Sequence, residues 1–216
     1  MELLTYTLVL KTDKTVEESG TFLRGFIGNK FKDKTILHHH LEKSCLYKYP
    51  LVQYKVIEGN SVIFGLNEGA VALSDIYNQL DELKLGTNIY KITEKRVIEN
   101  HQNFCFSEKE RKYRFISPWI ALNEKNFKEY KSIPKKKQIL LLHKILIGNI
   151  LSVAKAFEYV VLSELKVKTK VKPVPVKYKG IPMIGFTGDF KINFELPEFI
   201  GLGKGVSQGF GTIKKI

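Results

Sequence analysis

The chain carries the glycine-rich stretch GLGKGVSQGFG from Gly201 to Gly211, and five further residues follow it. Five of the 16 glycines fall in these eleven positions, as two Gly-hydrophobic-Gly arms around the five-residue centre Lys204–Gln208. Glycine tolerates positive φ and lets another backbone come close, so this density predicts a tightly wrapped loop whose amides point outward. We expect such a loop to bind an anion.

Two common glycine loops do not fit this context. The phosphate loop of NTPases requires G-x-x-x-x-G-K-[ST], and the dinucleotide-binding fingerprint requires a helix directly after it. The five residues that follow Gly211 are too few for that helix. The stretch therefore argues against both nucleotide-binding folds.

The length and composition are those of a globular protein large enough for two domains. The 216 residues could form two domains of about 100 residues each, and 44% hydrophobic content with 14 Phe and 10 Tyr argues against disorder. We find no apolar run of the roughly 18 to 20 residues needed to span a membrane, and the strand-like start lacks the features of a secretion signal. We therefore expect a cytoplasmic protein without a membrane partner, in which Cys45 and Cys105 are buried thiols.

Positive charge is concentrated in one part of the chain. The net charge is +13, but residues 1–124 carry 17 basic against 16 acidic side chains, whereas residues 125–191 carry 15 lysines against four acidic residues. Lysines 135–137 and the alternating Lys166, Lys168, Lys170 and Lys172 fall in the basic part. This pattern favours a polyanionic partner, with a merely solvated charged face as the alternative.

Hydrophobic periodicity predicts a β-α-β-β-α-β order in the first half, which is the ferredoxin-like arrangement. The predicted elements are a strand over 4–10, a helix over 15–31, a hairpin of 51–57 and 61–65, a helix over 68–83 and a strand over 89–97.

The second half repeats this order loosely, with one helix missing or reduced. We predict strands near 103–107, 113–121, 164–176, 183–195 and 208–214, and a long helix over 136–160 with Ile139, Leu142, Ile145, Leu146 and Asn149 on one stripe. The boundary is expected near 98–104, giving an N-terminal domain over 1–100 and a basic C-terminal domain over 101–216.

Three consecutive histidines, His38, His39 and His40, follow the first predicted helix. In either an extended or a helical segment two of the imidazoles can approach one site. With a pKa of about 6.5, imidazole can act as base and as acid near neutrality, which suits RNA cleavage by the neighbouring 2′-hydroxyl. That reaction requires no metal, and its products are a 2′,3′-cyclic phosphate and a 5′-hydroxyl.

Other interpretations of the histidines remain open at this point. A solvated polar tract is one, and a zinc site is another, although Cys45 is the only nearby thiol and no H-E-x-x-H motif is present. Tyr47 could donate to a phosphate oxygen or orient a histidine, and Lys30 and Lys48 could stabilise the phosphorane. The isolated His101 and His143 favour structural roles.

Several segments together resemble the CRISPR repeat-cleaving endoribonucleases of the repeat-associated RNA-binding (RAMP) superfamily. The similarity is closest to the type I-B subtype of methanogenic archaea and some bacteria, and it covers nearly the whole chain. It rests on the glycine-rich tail, the histidine tract, and the segments Leu23–Gly28, Tyr49–Lys55, Ser117–Asn123 and Gly185–Phe190.

The resemblance implies an α+β fold of tandem ferredoxin-like domains with a C-terminal glycine-rich loop. It implies that His40 is the general base, with His38 as second or substitute and Tyr47 nearby, in a metal-independent reaction without cofactor. The implied partners are CRISPR repeat RNA and the CRISPR effector complex, and members act as monomers or homodimers. The expected RNA-binding residues are Lys30, Lys48, Gly201, Gly203, Lys204, Gly205, Gly209, Gly211 and Lys214. A non-catalytic RNA-binding subunit and a general nucleic-acid binder are the alternatives.

Overall fold

The computed structural model describes residues 1–37 and 49–216, which form two compact units. The N-terminal unit comprises Glu2–Gln102 together with Val206–Gly209 from the glycine-rich stretch. The C-terminal unit comprises Met1, Asn103–Gly205 and Phe210–Ile216. The glycine-rich stretch therefore contributes residues to both units.

The N-terminal unit is a five-stranded sheet with two helices. Its strands follow the spatial order β2-β3-β1-β5-β4, and the β2–β3 and β1–β3 pairs are antiparallel. The elements in chain order are β1 (Glu2–Thr12), α1 (Gly20–Lys30), β2 (Val52–Ile57), β3 (Asn60–Leu66), α2 (Glu68–Ile76), β4 (Glu82–Leu85) and β5 (Asn88–Asn103).

Alternation along β1 decides where the core of this unit lies. Tyr6, Leu8 and Leu10 pack with Leu23 of α1 and Leu73 of α2 in one buried cluster. The intervening Thr5 and Thr7 are also buried, and Thr5 Oγ1 donates to the Asn100 carbonyl at 2.9 Å. Thr5 and Thr7 lie opposite Leu66 and Phe64 of β3, which are fully buried, so the second face of the sheet combines buried polar and apolar side chains.

The C-terminal unit is a four-stranded antiparallel sheet in the order β7-β8-β6-β9. Its elements are β6 (Cys105–Trp119), α3 (Glu124–Ser132), α4 (Lys135–Ala156), β7 (Val167–Tyr178), β8 (Ile181–Glu195) and β9 (Ile213–Lys215). Aromatic rings fill its core, with Phe115 stacked on Trp119 at 5.2 Å between centroids. Both units thus have the predicted α+β, ferredoxin-like strand order.

Two helix predictions in the first half are wrong at their ends. The first helix begins at Gly20 rather than at residue 15, because the Val16 amide donates to the Gly59 carbonyl at 2.9 Å and holds this connection extended. The second helix ends at Ile76 rather than Leu83. Leu83 and Leu85 alternate with polar neighbours, which is the period of the strand β4 that they form.

The second half also differs from prediction. The two strands predicted near 103–107 and 113–121 are one continuous strand, β6, and α3 was not predicted at all. The last strand covers only Ile213–Lys215, because positive φ at Gly209 and Gly211 interrupts an extended backbone. Cys105 is only half-buried, so the prediction of a buried thiol is wrong there, and Cys45 lies outside the described residues.

Helix α4 ends at Ala156, four residues before the predicted end, and its buried stripe is formed by Leu142, Leu146, Ile150, Val153 and Ala154. Ile139 lies in the second turn and is 47% exposed, so its place in the stripe is wrong. By length and composition alone α4 could cross a membrane, contrary to the expectation from the apolar runs. Its buried stripe packs on β7.

Candidate functional site

The residues predicted to do the chemistry lie outside the described part of the chain. His38, His39, His40, Tyr47 and Lys48 all fall within 38–48. Their roles therefore stay predictions.

Both flanks of the histidine segment are tied to strand β2. On the N-terminal side, the Tyr54 hydroxyl donates to the Leu37 carbonyl at 2.9 Å. On the C-terminal side, the Gln53 side-chain amide donates to the Tyr49 hydroxyl at 2.8 Å and to the Pro50 carbonyl at 3.3 Å. Neighbouring residues of one strand thus hold the two ends of the segment.

Strand β2 also carries a buried lysine beside Gln53. Lys55 is fully buried, and its ammonium nitrogen Nζ lies 2.8 Å from Gln53 Oε1 and 5.7 Å from the Phe64 ring centroid. Burial lowers the pKa of Lys55 to about 7, because a charged ammonium loses its hydration there. Sequence reasoning missed this buried lysine, since a lysine between Tyr54 and Val56 is typical of the polar side of an edge strand.

Lys30, the remaining lysine predicted near the histidines, is the last residue of α1 and is exposed. Helix α1 is held by Leu23 and Ile27, which are fully buried in the core of the N-terminal unit. Lys30 is therefore a solvent-facing cation on a firmly packed helix, and its contact with RNA stays a prediction.

Several amides of the glycine-rich stretch donate hydrogen bonds within the protein. Five of them donate to carbonyl groups within their own unit, at distances from 2.9 to 3.3 Å: Leu202 to Gly211, Lys204 to Ile120, Gly209 to Val206, Phe210 to Gly205 and Gly211 to Pro118. The prediction that the amides point outward is wrong for these five. The loop is wrapped against its own protein, as its glycine density also predicted.

Close packing explains why glycine is needed at two of these positions. Gly211 has φ of +63°, and a Cβ there would collide with the Leu202 carbonyl oxygen. Gly209 has φ of +91°, and a Cβ there would lie 2.8 Å from the Tyr54 carbonyl oxygen within the N-terminal unit. Both glycines therefore serve close backbone approach.

The predicted lysine contacts of the tail are exposed. Lys204 lies on the C-terminal unit with Nζ 5.1 Å from the Tyr178 ring centroid, and Lys214 is exposed on β9. Gly201, Gly203 and Gly205 belong to the same unit as these lysines, whereas Gly209 belongs to the N-terminal unit. The lysines are accessible to a polyanion, and direct RNA contact by the glycines stays a prediction.

Strand β7 presents the alternating lysines on one exposed face. Lys168, Lys170 and Lys172 are exposed, while the intervening Thr169 and Val171 are half-buried. Only Lys168 among these three forms an ion pair within the described part of the chain, with Glu110 at 2.8 Å. The predicted row of neighbouring ammonium groups is therefore present on the C-terminal unit.

His143 has the structural role that its isolation predicted. Its Nε2 accepts a hydrogen bond from the Thr169 amide at 3.0 Å, which ties α4 to β7. Burial lowers the pKa of His143, because the protonated ring would be poorly solvated. His101 is exposed on β5.

Sequence reasoning missed a groove in the C-terminal unit, which is lined by both polar and apolar residues. It has a volume of about 540 Å³ and lies between the end of β6, α3, α4 and the start of the glycine-rich stretch. Lys125, Lys144 and Asn149 are among the residues that line it. Helix α3 was not predicted, so its contribution could not be seen in the sequence.

Comparison with known proteins covers both units. The model of the Cas6b N-terminal domain matches residues 1–103, and that of the Cas6b C-terminal domain matches residues 105–216. A crystal structure of Cas6b is 36% identical over 100% of both chains, with a TM-score of 0.94. A structure described as the CRISPR RNA processing endoribonuclease Cas6b is 34% identical over 99% of this chain and 100% of its own, with a TM-score of 0.80. An uncharacterised protein of Methanocaldococcus jannaschii is 41% identical over 145 residues, which are 67% of this chain and 99% of that protein. The chain therefore belongs to the Cas6b family, and it is an endoribonuclease.

Proposed function

We propose that this endoribonuclease cleaves precursor CRISPR RNA within its repeats and so releases guide RNAs in the cytoplasm. The observation that carries the proposal is the full-length similarity to the relative described as a CRISPR RNA processing endoribonuclease. The exposed lysine row on β7 supports it, because neutralising phosphates releases counterions and favours RNA binding. Delivery of the product to a CRISPR effector complex is part of the same proposal.

The proposed chemistry is metal-independent attack by the 2′-hydroxyl on the adjacent phosphorus. His40 removes the 2′-hydroxyl proton, the 2′-oxygen bonds to phosphorus, and the bond to the 5′-oxygen breaks. His38 protonates the departing 5′-oxygen, and Tyr47 with Lys30 and Lys48 stabilises the phosphorane oxygens. The products are a 2′,3′-cyclic phosphate and a 5′-hydroxyl. Ties from β2 to both flanks of the histidine segment support this assignment, since catalytic groups need a fixed frame.

A substrate with one altered sugar tests the mechanism. The protein is incubated in chelator with repeat RNA from its own CRISPR array, and in parallel with the same RNA carrying a 2′-deoxy sugar at the scissile nucleotide. We expect cleavage of the first RNA to a cyclic phosphate and none of the second. Cleavage of the deoxy substrate, or loss of all cleavage in chelator, would contradict the mechanism.

Histidine variants test the assignment of the residues. His40→Ala should slow cleavage by at least about 100-fold, because general acid–base catalysis contributes roughly 10² to 10⁴ in rate. His101→Ala is the matched control, since this histidine is exposed on β5. A double His38→Ala/His40→Ala variant that cuts like the parent would place the active site elsewhere.

A further inference from the structure

The groove of the C-terminal unit is built on three sides by fixed elements. Its α3 wall is joined to α4 because the Gln138 side-chain amide donates to the carbonyls of Tyr130 and Ile133 at 2.9 and 3.3 Å. Its glycine-rich wall is held because the Lys204 amide donates to the Ile120 carbonyl at 3.1 Å. We call this feature the α3–α4 groove. Its volume of about 540 Å³ lies within the roughly 300 to 1,000 Å³ typical of ligand sites.

Charge in the groove favours an anion. Lys125 of α3, Lys144 of α4 and Lys204 line it, against the single carboxylate of Glu129. Across the residues that the structure describes, Lys125 and Lys144 form no ion pair, whereas the neighbouring Lys128 is paired with Glu124 at 2.9 Å. Two exposed ammonium groups on facing helices are thus available for a phosphate.

Asn149 gives the groove an oriented donor. The indole Nε1 of Trp119 donates to Asn149 Oδ1 at 2.9 Å. An indole N–H can only donate, so the oxygen of the amide must face Trp119 and its NH₂ group must face the other way. Because Asn149 lines the groove, this NH₂ group can donate to a carbonyl or ring nitrogen of a base.

Gly148 supplies an independent observation. It lies in the interior of α4 and lines the groove, and a Cβ added there would meet no atom within 4 Å. Glycine inside a helix costs about 0.5 to 1 kcal/mol relative to alanine, and packing does not require it here. The missing side chain leaves this part of the groove open.

We propose that the α3–α4 groove binds one nucleotide of the substrate RNA. Lys125 and Lys144 hold its phosphate, Asn149 donates to its base, and Glu129 accepts from a base amino group. The inference rests on the proposed function for the identity of the RNA. It adds a subsite formed entirely by the C-terminal unit, outside the histidine segment.

Filling the groove is the test. Gly148→Leu leaves every charge in place, and Ala156→Leu is its control because Ala156 is exposed on α4 outside the lining. Binding is measured with uncleavable repeat RNA carrying the 2′-deoxy sugar at the scissile nucleotide. We expect Gly148→Leu to weaken binding about tenfold, while Ala156→Leu matches the parent. Parent-like binding by Gly148→Leu, with its fold intact by thermal unfolding, would overturn the proposal.

A substitution with a smaller side chain at the same position controls for a loss of the fold. Gly148→Ala should raise the thermal midpoint, because alanine is the better helix former, and should still weaken RNA binding by a few-fold. A rise in stability without any loss of binding would contradict the groove as an RNA site.

RNAs that each carry one modified phosphate identify which nucleotide occupies the α3–α4 groove. Methylphosphonates placed one at a time along the RNA should reveal a position at which binding to the parent falls, and the same change should have no further effect on Gly148→Leu. Independent effects at every position would contradict the proposal. If the parent binds the RNA but never cuts it, the proposed function fails while the groove can still be judged from these binding data.

Lysine substitutions provide a second readout. Lys144→Gln should reduce the slope of log affinity against log salt by about 0.7, the contribution of one phosphate contact on a single strand. Lys155→Gln removes the same charge from an exposed position on the same helix outside the groove. An equal reduction in both variants would show a general charge effect and overturn the assignment.

Discussion

The N-terminal and C-terminal units place their strands in the same order but differ in the segment after the third strand. After β3 the N-terminal unit continues into α2, which adds Leu73 and Ile76 to its core. After β8 the C-terminal unit has no α-helix before β9, and residues 196–212 carry the glycine-rich stretch instead. One strand order thus occurs with a helix after the third strand in the first unit and with a glycine-rich stretch, which lines the α3–α4 groove, in the second.

The buried Lys55 differs from the exposed lysines that are proposed to bind RNA. In the N-terminal unit Lys55 is buried beside Gln53 and Phe64. In the C-terminal unit Lys144, Lys170 and Lys172 are exposed. Burial turns a lysine into a cost for folding, whereas exposure leaves it available to a phosphate. This difference is compatible with the proposal that the first unit supplies the chemistry and the second much of the RNA binding.

The largest stability effect is expected at the loop that replaces the helix. Gly211→Ala should destabilise the protein by about 3 kcal/mol or more, because the new Cβ collides with the Leu202 carbonyl in addition to the cost of positive φ. Gly180→Ala is the matched control: its φ is +81°, but no atom lies within 4 Å of the added Cβ. It should cost only about 1 to 2 kcal/mol. Equal losses by denaturant unfolding would mean that close packing does not explain the glycine.

Lys55 is expected to make the free energy of unfolding depend on pH in the alkaline range. The unfolded state holds the lysine proton up to a pKa of about 10.4, while the folded state releases it near 7. Between these values the unfolded state binds more protons, so the free energy of unfolding rises with pH. From pH 7 to 10 the parent should gain about 3 kcal/mol more than Lys55→Met, measured by denaturant unfolding at each pH.

Lys144, an exposed lysine of the C-terminal unit, provides the control for that prediction. Lys144→Met should keep the parent's pH dependence, because its ammonium is solvated in the folded protein. A Lys55→Met variant with the parent's slope between pH 7 and 10 would contradict a buried neutral lysine.

The smallest effect is expected at an ion pair within the C-terminal sheet. Arg114 Nε and a second guanidinium nitrogen contact the two carboxylate oxygens of Asp189 at 2.7 and 3.1 Å, across the β6–β8 pair. This guanidinium, with Lys112 beside it, holds the pKa of the Asp189 carboxyl below its usual value. The stabilisation is present above the unfolded pKa of about 3.9 and is lost as pH falls through the folded pKa.

Asp189→Asn should therefore cost about 1 kcal/mol at pH 7 and nothing in strong acid, as measured by thermal unfolding. Asp75→Asn is its control, because Asp75 pairs with Lys34 at 3.0 Å but is 53% exposed, and its loss should be near zero. A loss at Asp189 that persists unchanged in acid would point to a cause other than the charge.

Local patterns predicted the strand order of both units but not all of the elements. The hairpin around Glu58-Gly59-Asn60 and the strand with Leu8 follow from a period of two, which local sequence encodes. Helix α3 was missed because it buries no residue and therefore carries no apolar stripe. The inward bonding of the glycine-rich amides was missed because it depends on Ile120 and Pro118, far away in sequence. The groove depends on α3 and on that same long-range contact, so it could not be seen before the structure.

Measuring RNA affinity and cleavage rate in two double variants tests whether the first unit supplies the chemistry and the second much of the RNA binding. Dissociation constants for uncleavable repeat RNA, and cleavage rates at saturating RNA, are measured for His38→Ala/His40→Ala and for Lys125→Gln/Lys144→Gln. We predict that the histidine variant loses at least about 100-fold in rate with the parent's affinity, and that the lysine variant loses affinity with the parent's rate. A histidine variant that loses affinity but keeps its rate, or a lysine variant that loses rate but keeps its affinity, would contradict the account.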